Sequence, residues 1–199
     1  QQATLYYLQP PLGTPVPITN VCCGSTAKLV VDSTGRLHAV AGSLPPSGAF
    51  GSTHYLTSTD GTTWASTYLN PTPRAALNDA IAVDHNNLPG IASLRLDGVY
   101  FTKQKPDGTW STQLVRSGNF CFECEAATAN ISLAFDRDSQ PMICWFDSCS
   151  GSILAATLVA DESVPTDLVM VAQGSRSPTP VGNSLQYTFQ VRNDSRREA

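Results

Sequence analysis

The chain alternates short apolar runs with polar turns over most of its length. The longest apolar runs, residues 153–160 and 168–172, have the length of strands. No segment shows helical periodicity over roughly ten residues, and none approaches the roughly 18 apolar residues that a membrane-spanning helix requires. The pattern therefore predicts an all-β fold without a membrane span.

One strand-turn-strand pattern occurs three times at a fixed interval of 52 residues, from 32 to 84 and from 84 to 136. Each copy has apolar residues three and one positions before an aspartate, then a polar turn and a second apolar run, which predicts a hairpin. The aspartates of the three turns are Asp32, Asp84 and Asp136. The residues that the pattern predicts to be buried on the first strands are Leu29, Val31, Ile81, Val83, Leu133 and Phe135.

Two further apolar runs follow in the first two repeats, separated by an Asp-Gly turn and a tryptophan. The aspartate is expected to bind the backbone of its own turn, the glycine to supply a positive φ, and the tryptophan to cover the outer hairpin. These residues are Asp60, Gly61 and Trp64, then Asp107, Gly108 and Trp110. Four short strands per unit of about 50 residues are typical of propeller blades.

The segment 58–64, Ser-Thr-Asp-Gly-Thr-Thr-Trp, resembles the Asp-box repeats of propellers found in sialidases and in many secreted glycan-active or surface proteins. The resemblance covers about residues 4–160 and implies a β-propeller-like architecture. The chain departs from the usual box, since the first copy lacks one residue between Asp and Gly, the second is shorter still, and the third repeat has no tryptophan there.

The number of predicted strands does not complete a ring. Residues 5–8 and 16–18 align with the third and fourth strands of a blade, so the chain carries about three and a half blades, whereas propellers close with about four to eight. An open arc leaves unpaired strand edges and exposed blade faces. Either the chain is part of a longer protein, or it completes its blades by assembly with another subunit.

The last 39 residues, 161–199, have a different pattern. In residues 185–191, Leu185, Tyr187, Phe189 and Val191 alternate with polar residues and share one predicted strand face. The segment resembles the first strands of the Ig-like repeat of bacterial and archaeal surface proteins, through residues 167–168, 180–182, 187–189 and 191–193. We therefore expect a propeller-like domain over residues 1–160 and an incomplete Ig-like β-sandwich segment over 161–199.

Six cysteines form three local pairs, a number and arrangement that predict up to three disulfides and hence an extracellular or cell-surface location. Cys144 and Cys149 are placed to close a hairpin, while Cys22 and Cys23 each have Cys121 or Cys124 as a more distant candidate partner. The connectivity stays open. A zinc site using the two-residue gap between Cys121 and Cys124 is the weaker alternative, because no second pair has that gap.

Charge excludes one class of partner. The net charge is −4, and only three lysines are present, so the sequence has no basic stripe for a phosphate backbone and we expect no nucleic-acid binding. Charged residues make up 14% of the chain, which is low for a soluble domain and fits a surface rich in Ser and Thr.

Candidate catalytic groups are scattered. A sialidase-like site requires an arginine cluster, a Tyr-Glu pair and an acidic Asp, and no such set occurs together in the sequence. Glu123, Glu125, Asn78 and Asp79 lie at predicted strand lead-ins, where we expect solvated loop residues or caps on strand ends. We therefore expect no enzyme activity, no cofactor and no metal site.

These features together favour an extracellular structural or adhesive protein, specifically a self-assembling surface or filament subunit that uses strand exchange. Its expected partners are other copies of itself in a head-to-tail arrangement, other surface proteins, and glycans as a further class of ligand. The alternative is a fragment of a secreted glycan-active, sialidase-like propeller enzyme, or a carbohydrate-binding propeller.

Overall fold

The computed structural model describes residues 4–8, 13–22, 27–43, 52–69, 76–118, 130–147, 151–157, 168–174 and 187–193. Every regular element in these ranges is a strand, which confirms the all-β class. Within the same ranges, no helix is long and apolar enough to cross a membrane.

The strands form four antiparallel sheets, and strands that are neighbours in a sheet are consecutive in the chain. The first sheet contains β1 (Thr4–Tyr7) and β2 (Val16–Cys22). The second contains β3 (Ala27–Val31), β4 (Leu37–Ser43), β5 (Ser52–Ser58) and β6 (Ala65–Tyr68). The third contains β7 (Ala76–Val83), β8 (Pro89–Arg95), β9 (Gly98–Gln104) and β10 (Trp110–Ser117). The fourth contains β11 (Ile131–Phe135), β12 (Pro141–Asp147), β13 (Ser152–Thr157), β14 (Leu168–Gly174) and β15 (Tyr187–Asn193).

Successive sheets pack face to face. We call the face turned toward the preceding sheet the rear face and the opposite one the front face. Neighbouring residues of a strand point to opposite faces, so Ala39 packs on the first sheet whereas Val40 packs on the third. In β8 the same alternation puts Ile91 against the second sheet and Ala92 against the fourth. Among the described residues, the core is therefore divided into three apolar layers, one between each two successive sheets.

The predicted burial of Leu29 and Val31 is wrong, because these side chains are 50% and 53% exposed. Their equivalents in the next two sheets, Ile81, Val83, Leu133 and Phe135, are half-buried. The first strand of a sheet is covered only when a strand of the preceding sheet lies behind it. The first sheet has two described strands, and the apolar layer that joins it to the second sheet involves β4 and β5 rather than β3.

The C-terminal strands continue the fourth sheet. Strand β14 pairs with β13, with Leu154 opposite Val171, and β15 pairs with β14, with Val191 opposite Met170. Backbone pairing therefore crosses the predicted domain boundary at residue 160. The division into a propeller-like domain and an Ig-like segment stays a prediction, and Leu185 of the predicted apolar face lies outside the described residues.

Candidate functional site at the ends of the sheet stack

The three repeated aspartates close the same turn. Asp32 accepts hydrogen bonds at Oδ1 from the backbone N–H groups of Thr34 and Arg36, at 2.8 and 2.9 Å. The Asp84 and Asp136 carboxylates accept from the residues two and four positions later at 2.8 to 2.9 Å. The residue three positions after the aspartate has a positive φ, which allows the tight reversal. These residues are Gly35, Asn87 and Ser139, with φ of 86°, 61° and 60°.

The second carboxylate oxygen of two of these aspartates has a cationic or imidazole partner. Asp32 Oδ2 lies 3.1 Å from Nε2 of His38, and Asp84 Oδ2 lies 2.8 Å from Nζ of Lys103. Burial alone raises the pKa of Asp84, but the Lys103 contact and the backbone N–H groups of Leu88 and Asn86 outweigh it and hold the pKa below its usual range. Both carboxylates therefore bind their own turn with one oxygen and a side chain of the same sheet with the other.

The turns of successive sheets also contact each other. Ser33 donates to Asn87 Oδ1 through both its N–H and its hydroxyl, at 3.2 and 2.9 Å. The His85 N–H donates to the Ser139 hydroxyl at 3.4 Å, across the same separation of 54 residues. The aspartate turns therefore form a continuous row at one edge of the sheet stack.

The first Asp-Gly turn lies between β5 and β6. Asp60 accepts from the N–H groups of Thr62 and Thr63 at Oδ1, both at 2.8 Å, and Gly61 has a φ of 72°. These two backbone bonds are the main cause that holds the pKa of Asp60 below its usual range. The Trp64 indole N–H donates to the Gly61 carbonyl at 3.2 Å, so the ring folds back over its own turn.

The second Asp-Gly turn lies between β9 and β10. Asp107 accepts at Oδ1 from the hydroxyl and the N–H of Thr109, at 2.6 and 2.9 Å, and Gly108 has a φ of 84°. The contact with the Thr109 hydroxyl is the main cause that lowers the pKa of Asp107. Both Asp-Gly turns thus use the carboxylate to order backbone.

Trp64 and Trp110 each also contact a tyrosine of the preceding sheet. The ring centroids of Tyr7 and Trp64 are 5.5 Å apart, and those of Tyr55 and Trp110 are 4.9 Å apart, both in edge-to-face geometry. The sequence indicated only that the tryptophan covers its own hairpin. Its contact across the sheets shows that Tyr7 of β1 and Tyr55 of β5 occupy equivalent positions.

A buried polar group lies between the second and third sheets, where a solvated loop was expected. Asp79 lies within β7 and is 1% exposed, so the expectation of a solvated residue is wrong for it. The Thr53 hydroxyl donates to Asp79 Oδ2 at 3.3 Å. Burial raises the pKa of Asp79, and nearby Ser93 and Arg95 only partly offset this effect. Glu123 and Glu125 lie outside the described residues.

Arg95 at the end of β8 completes this group. It is 1% exposed, and its guanidinium carbon lies 4.9 Å from the centroid of the Tyr100 ring. Burial lowers the pKa of Arg95, and the Asp79 carboxylate works against that shift. Because Asp79 and Arg95 are both enclosed, a ligand in solvent has no direct access to them. The sequence alone does not reveal their proximity, since Arg95 has no motif around it.

The cysteine prediction departs from the structure at Cys144, which carries a free, exposed thiol. Its strand partner is Ala155, and it lies on the front face of the fourth sheet, away from the apolar layer. Of the other cysteines, Cys22 is described in backbone only, and the rest lie outside the described residues: Cys23, Cys121, Cys124 and Cys149. Among the residues that the structure describes, no group of three His, Cys, Asp or Glu side chains is placed to hold a metal ion.

The two ends of the stack present uncovered apolar surface. On the rear face of the second sheet, Leu29 and Val31 are exposed. On the front face of the fourth sheet, Met142 and Ile153 are exposed, whereas Ala92 on the equivalent face of the third sheet is fully buried. Contiguous exposed apolar surface is a candidate site for a partner. These end surfaces are the candidate functional site.

No protein-family model matches the chain, and no curated protein matches it. Among solved structures, a fucose lectin from Kordia zhangzhouensis in complex with methyl-fucoside is similar to 68% of this chain and to 94% of its own length. The identity is 14% and the TM-score is 0.47.

Proposed function

We propose that this chain is an extracellular structural or adhesive module that assembles with copies of itself. The observation that carries the proposal is the exposure of Leu29 and Val31 at one end of the stack, at positions whose equivalents are half-buried inside it. Face packing between sheets is the interaction that builds the described part of the chain. The same interaction between copies removes the exposed apolar surface from water.

The conspicuous polar residues support a structural role. The turn aspartates are bonded to backbone, Asp79 and Arg95 are enclosed, and the two turn tryptophans pack against tyrosines. These polar side chains therefore serve the fold, as we propose for a structural module. The resemblance to Asp-box propellers and to Ig-like surface repeats is consistent with that location.

Sedimentation velocity on the complete chain over a hundredfold range of concentration tests the proposal. We expect the mean mass to increase with concentration, and we expect added salt to leave the association intact because the surfaces are apolar. For substitutions at Val31, which is 53% exposed, Leu114 of β10 offers a matched control. It is 51% exposed but lies on the last strand of a central sheet. A chain that stays monomeric at every concentration contradicts the proposal.

Carbohydrate binding is the second candidate, and an exposed aromatic ring favours it. Tyr68 is 61% exposed at the end of β6, and its ring meets the His54 ring edge-on at 5.6 Å. A fixed, exposed aromatic face with a polar neighbour can stack on the apolar face of a sugar ring. A glycan array with the wild-type chain and Tyr68→Ala distinguishes the candidates. Binding that Tyr68→Ala abolishes supports the lectin activity, and the absence of any binding rules it out.

A further inference from the structure

We infer that the surface formed by the rear face of β3 and by the edge of β1 that does not pair with β2 accepts two further strands. The strands that bind there are β14 and β15 of a second copy. The inference rests on the proposed self-assembly and specifies which surfaces meet. It starts from the strand count: among the described residues the first sheet has two strands, whereas the second and third sheets have four.

The contacts of β1 show which strands the first sheet contains. Tyr7 contacts Trp64 of the next sheet as Tyr55 contacts Trp110 of its next sheet. Strand β1 therefore corresponds to β5, the third strand of its sheet, and β2 corresponds to β6. The first and second positions of that sheet are the ones that no described strand occupies.

The exposed residues Leu29 and Val31 lie where strands in those two positions would cover them. Within the stack, Ile81 on the rear face of β7 packs against the cluster that includes Val40, and β7 contacts β4, the second strand of the preceding sheet. Leu29 is the equivalent of Ile81, and among the described residues no second strand of a preceding sheet lies behind it. The two positions that no described strand occupies form a gap two strands wide, and this gap explains the exposure of Leu29 and Val31.

Strand β1 offers backbone pairing at the border of this gap. Its pairing partner is β2, from Leu5 opposite Ile18 to Tyr7 opposite Val16. No described strand pairs with its other edge, so the N–H and C=O groups that point there are available to an added strand. An occupant gains backbone bonds along β1 and apolar contacts with β3.

The β14–β15 pair fits this acceptor in number, pairing and composition. It is an antiparallel pair at the end of the five-stranded sheet, and one edge of β15 has no partner among the described strands. Its two strand sequences contain a single charged residue, Arg192. The period-two pattern puts Tyr187, Phe189 and Val191 on one predicted face, which suits an apolar floor.

The positions of the sheets favour a second copy as the donor. The apolar layers place the second and third sheets between the first and the fourth sheets of one chain. Pairing of the free edge of β15 with the free edge of β1 in another copy leaves the existing pairing of β13 with β14 intact. The contact joins the end of one copy to the beginning of the next, and its repetition gives a ring or a filament.

The test uses complete chains with one surface blocked at a time. Val31→Lys puts a charge on the acceptor floor, Phe189→Lys puts one on the predicted donor face, and Leu114→Lys is the control at a matched exposure of 51% against 53% for Val31. We expect each blocked variant to associate at least tenfold more weakly than the wild-type chain, and the control to associate like wild type. An equimolar mixture of the two blocked variants retains one intact donor and one intact acceptor, so we expect it to form dimers and nothing larger.

The outcomes separate this inference from the proposed function. A monomeric wild-type chain contradicts both, whereas oligomers that tolerate Val31→Lys contradict the inference alone. A mixture that forms no dimer contradicts the head-to-tail pairing. Hydrogen exchange on the wild-type chain provides a test that does not depend on variants. Amides of β1 gain protection at high concentration if the inference holds, and equal protection at all concentrations overturns it.

Discussion

The hydroxyl of Ser33 donates to Oδ1 of Asn87 at 2.9 Å and joins two turns that occupy the same position in successive sheets. The backbone N–H of Ser33 donates to the same oxygen at 3.2 Å. Asn87 has a φ of 61°, so one residue both allows its own turn to reverse and accepts the bonds from the neighbouring turn. The repeat is thus stabilised at its turns as well as in its apolar layers.

A double-mutant cycle measures this connection. Asn87→Gly keeps the positive φ accessible and removes the acceptor, while Ser33→Ala removes the hydroxyl donor. We expect a coupling free energy of about 0.5 to 1.5 kcal/mol by urea denaturation, the range of a net hydrogen bond. Additive effects of the two substitutions would show that the bond contributes nothing to stability.

The two Asp-Gly turns differ in what surrounds the glycine, and this difference predicts unequal effects of the same substitution. A Cβ at Gly61 lies 2.6 Å from Cε1 of Tyr7, whereas a Cβ at Gly108 has no atom within 4 Å. Both positions have a positive φ, so Ala costs about 1 to 2 kcal/mol of backbone strain at each. We expect Gly61→Ala to cost at least about 1 kcal/mol more, from the overpacking against Tyr7. Equal changes in the free energy of unfolding would contradict this account.

The front face of the third sheet lies very close to the fourth sheet at Gly90. A Cβ at Gly90 lies 2.6 Å from Cζ of Phe135 and 3.0 Å from Cε2 of Phe101. We expect Gly90→Ala to destabilise the chain by about 1 to 3 kcal/mol. In Gly90→Ala combined with Phe135→Leu, the smaller side chain makes room, so thermal denaturation of the double variant should show less than the sum of the single effects. Additivity would mean that the two side chains do not meet.

Local patterns predicted the strands and turns well, because their causes lie within a few residues of each other. The Asp84 carboxylate accepts from the N–H of Leu88 four positions later, so every residue that forms the turn lies within one short segment. Burial depends on distant segments instead. Leu29 and Ile81 have the same local pattern, and only the sheet behind each decides which is covered.

The polar group at Asp79 illustrates the same limit. Its partner Thr53 is 26 positions earlier in another sheet, and no spacing rule relates them. Cys149 follows Cys144 closely enough in the sequence to suggest a disulfide. The place of Cys144 on an outward face follows instead from the pleat of β12. The uncovered ends of the stack could be anticipated from the strand count, whereas the residues that form them could not.

Acid should weaken the fold through the turn aspartates, and Asp84 provides the clearest case. Its carboxylate accepts from the N–H groups of Asn86 and Leu88 and lies 2.8 Å from Lys103 Nζ, which lowers its pKa in the folded chain. A lowered folded pKa means that the stabilisation is fully present above the ordinary carboxyl pKa of about 3.9 and is lost as pH falls through the folded value. We expect Asp84→Asn to lose about 1.5 to 3 kcal/mol at pH 7, and the stability difference from wild type to shrink progressively below about pH 4.

Removal of the Lys103 charge moves this acid transition to higher pH. Lys103→Met takes away the charge that favours the Asp84 carboxylate, so the folded pKa rises and the loss of stability begins at a higher pH than in wild type. Lys105→Met is the control, because it removes the same charge from an exposed lysine that acts on Asp107 and not on Asp84. Urea denaturation between pH 2 and pH 7 measures all four chains. An Asp84→Asn difference that stays constant over this range would show that the Asp84 carboxylate is not bonded as a charged group.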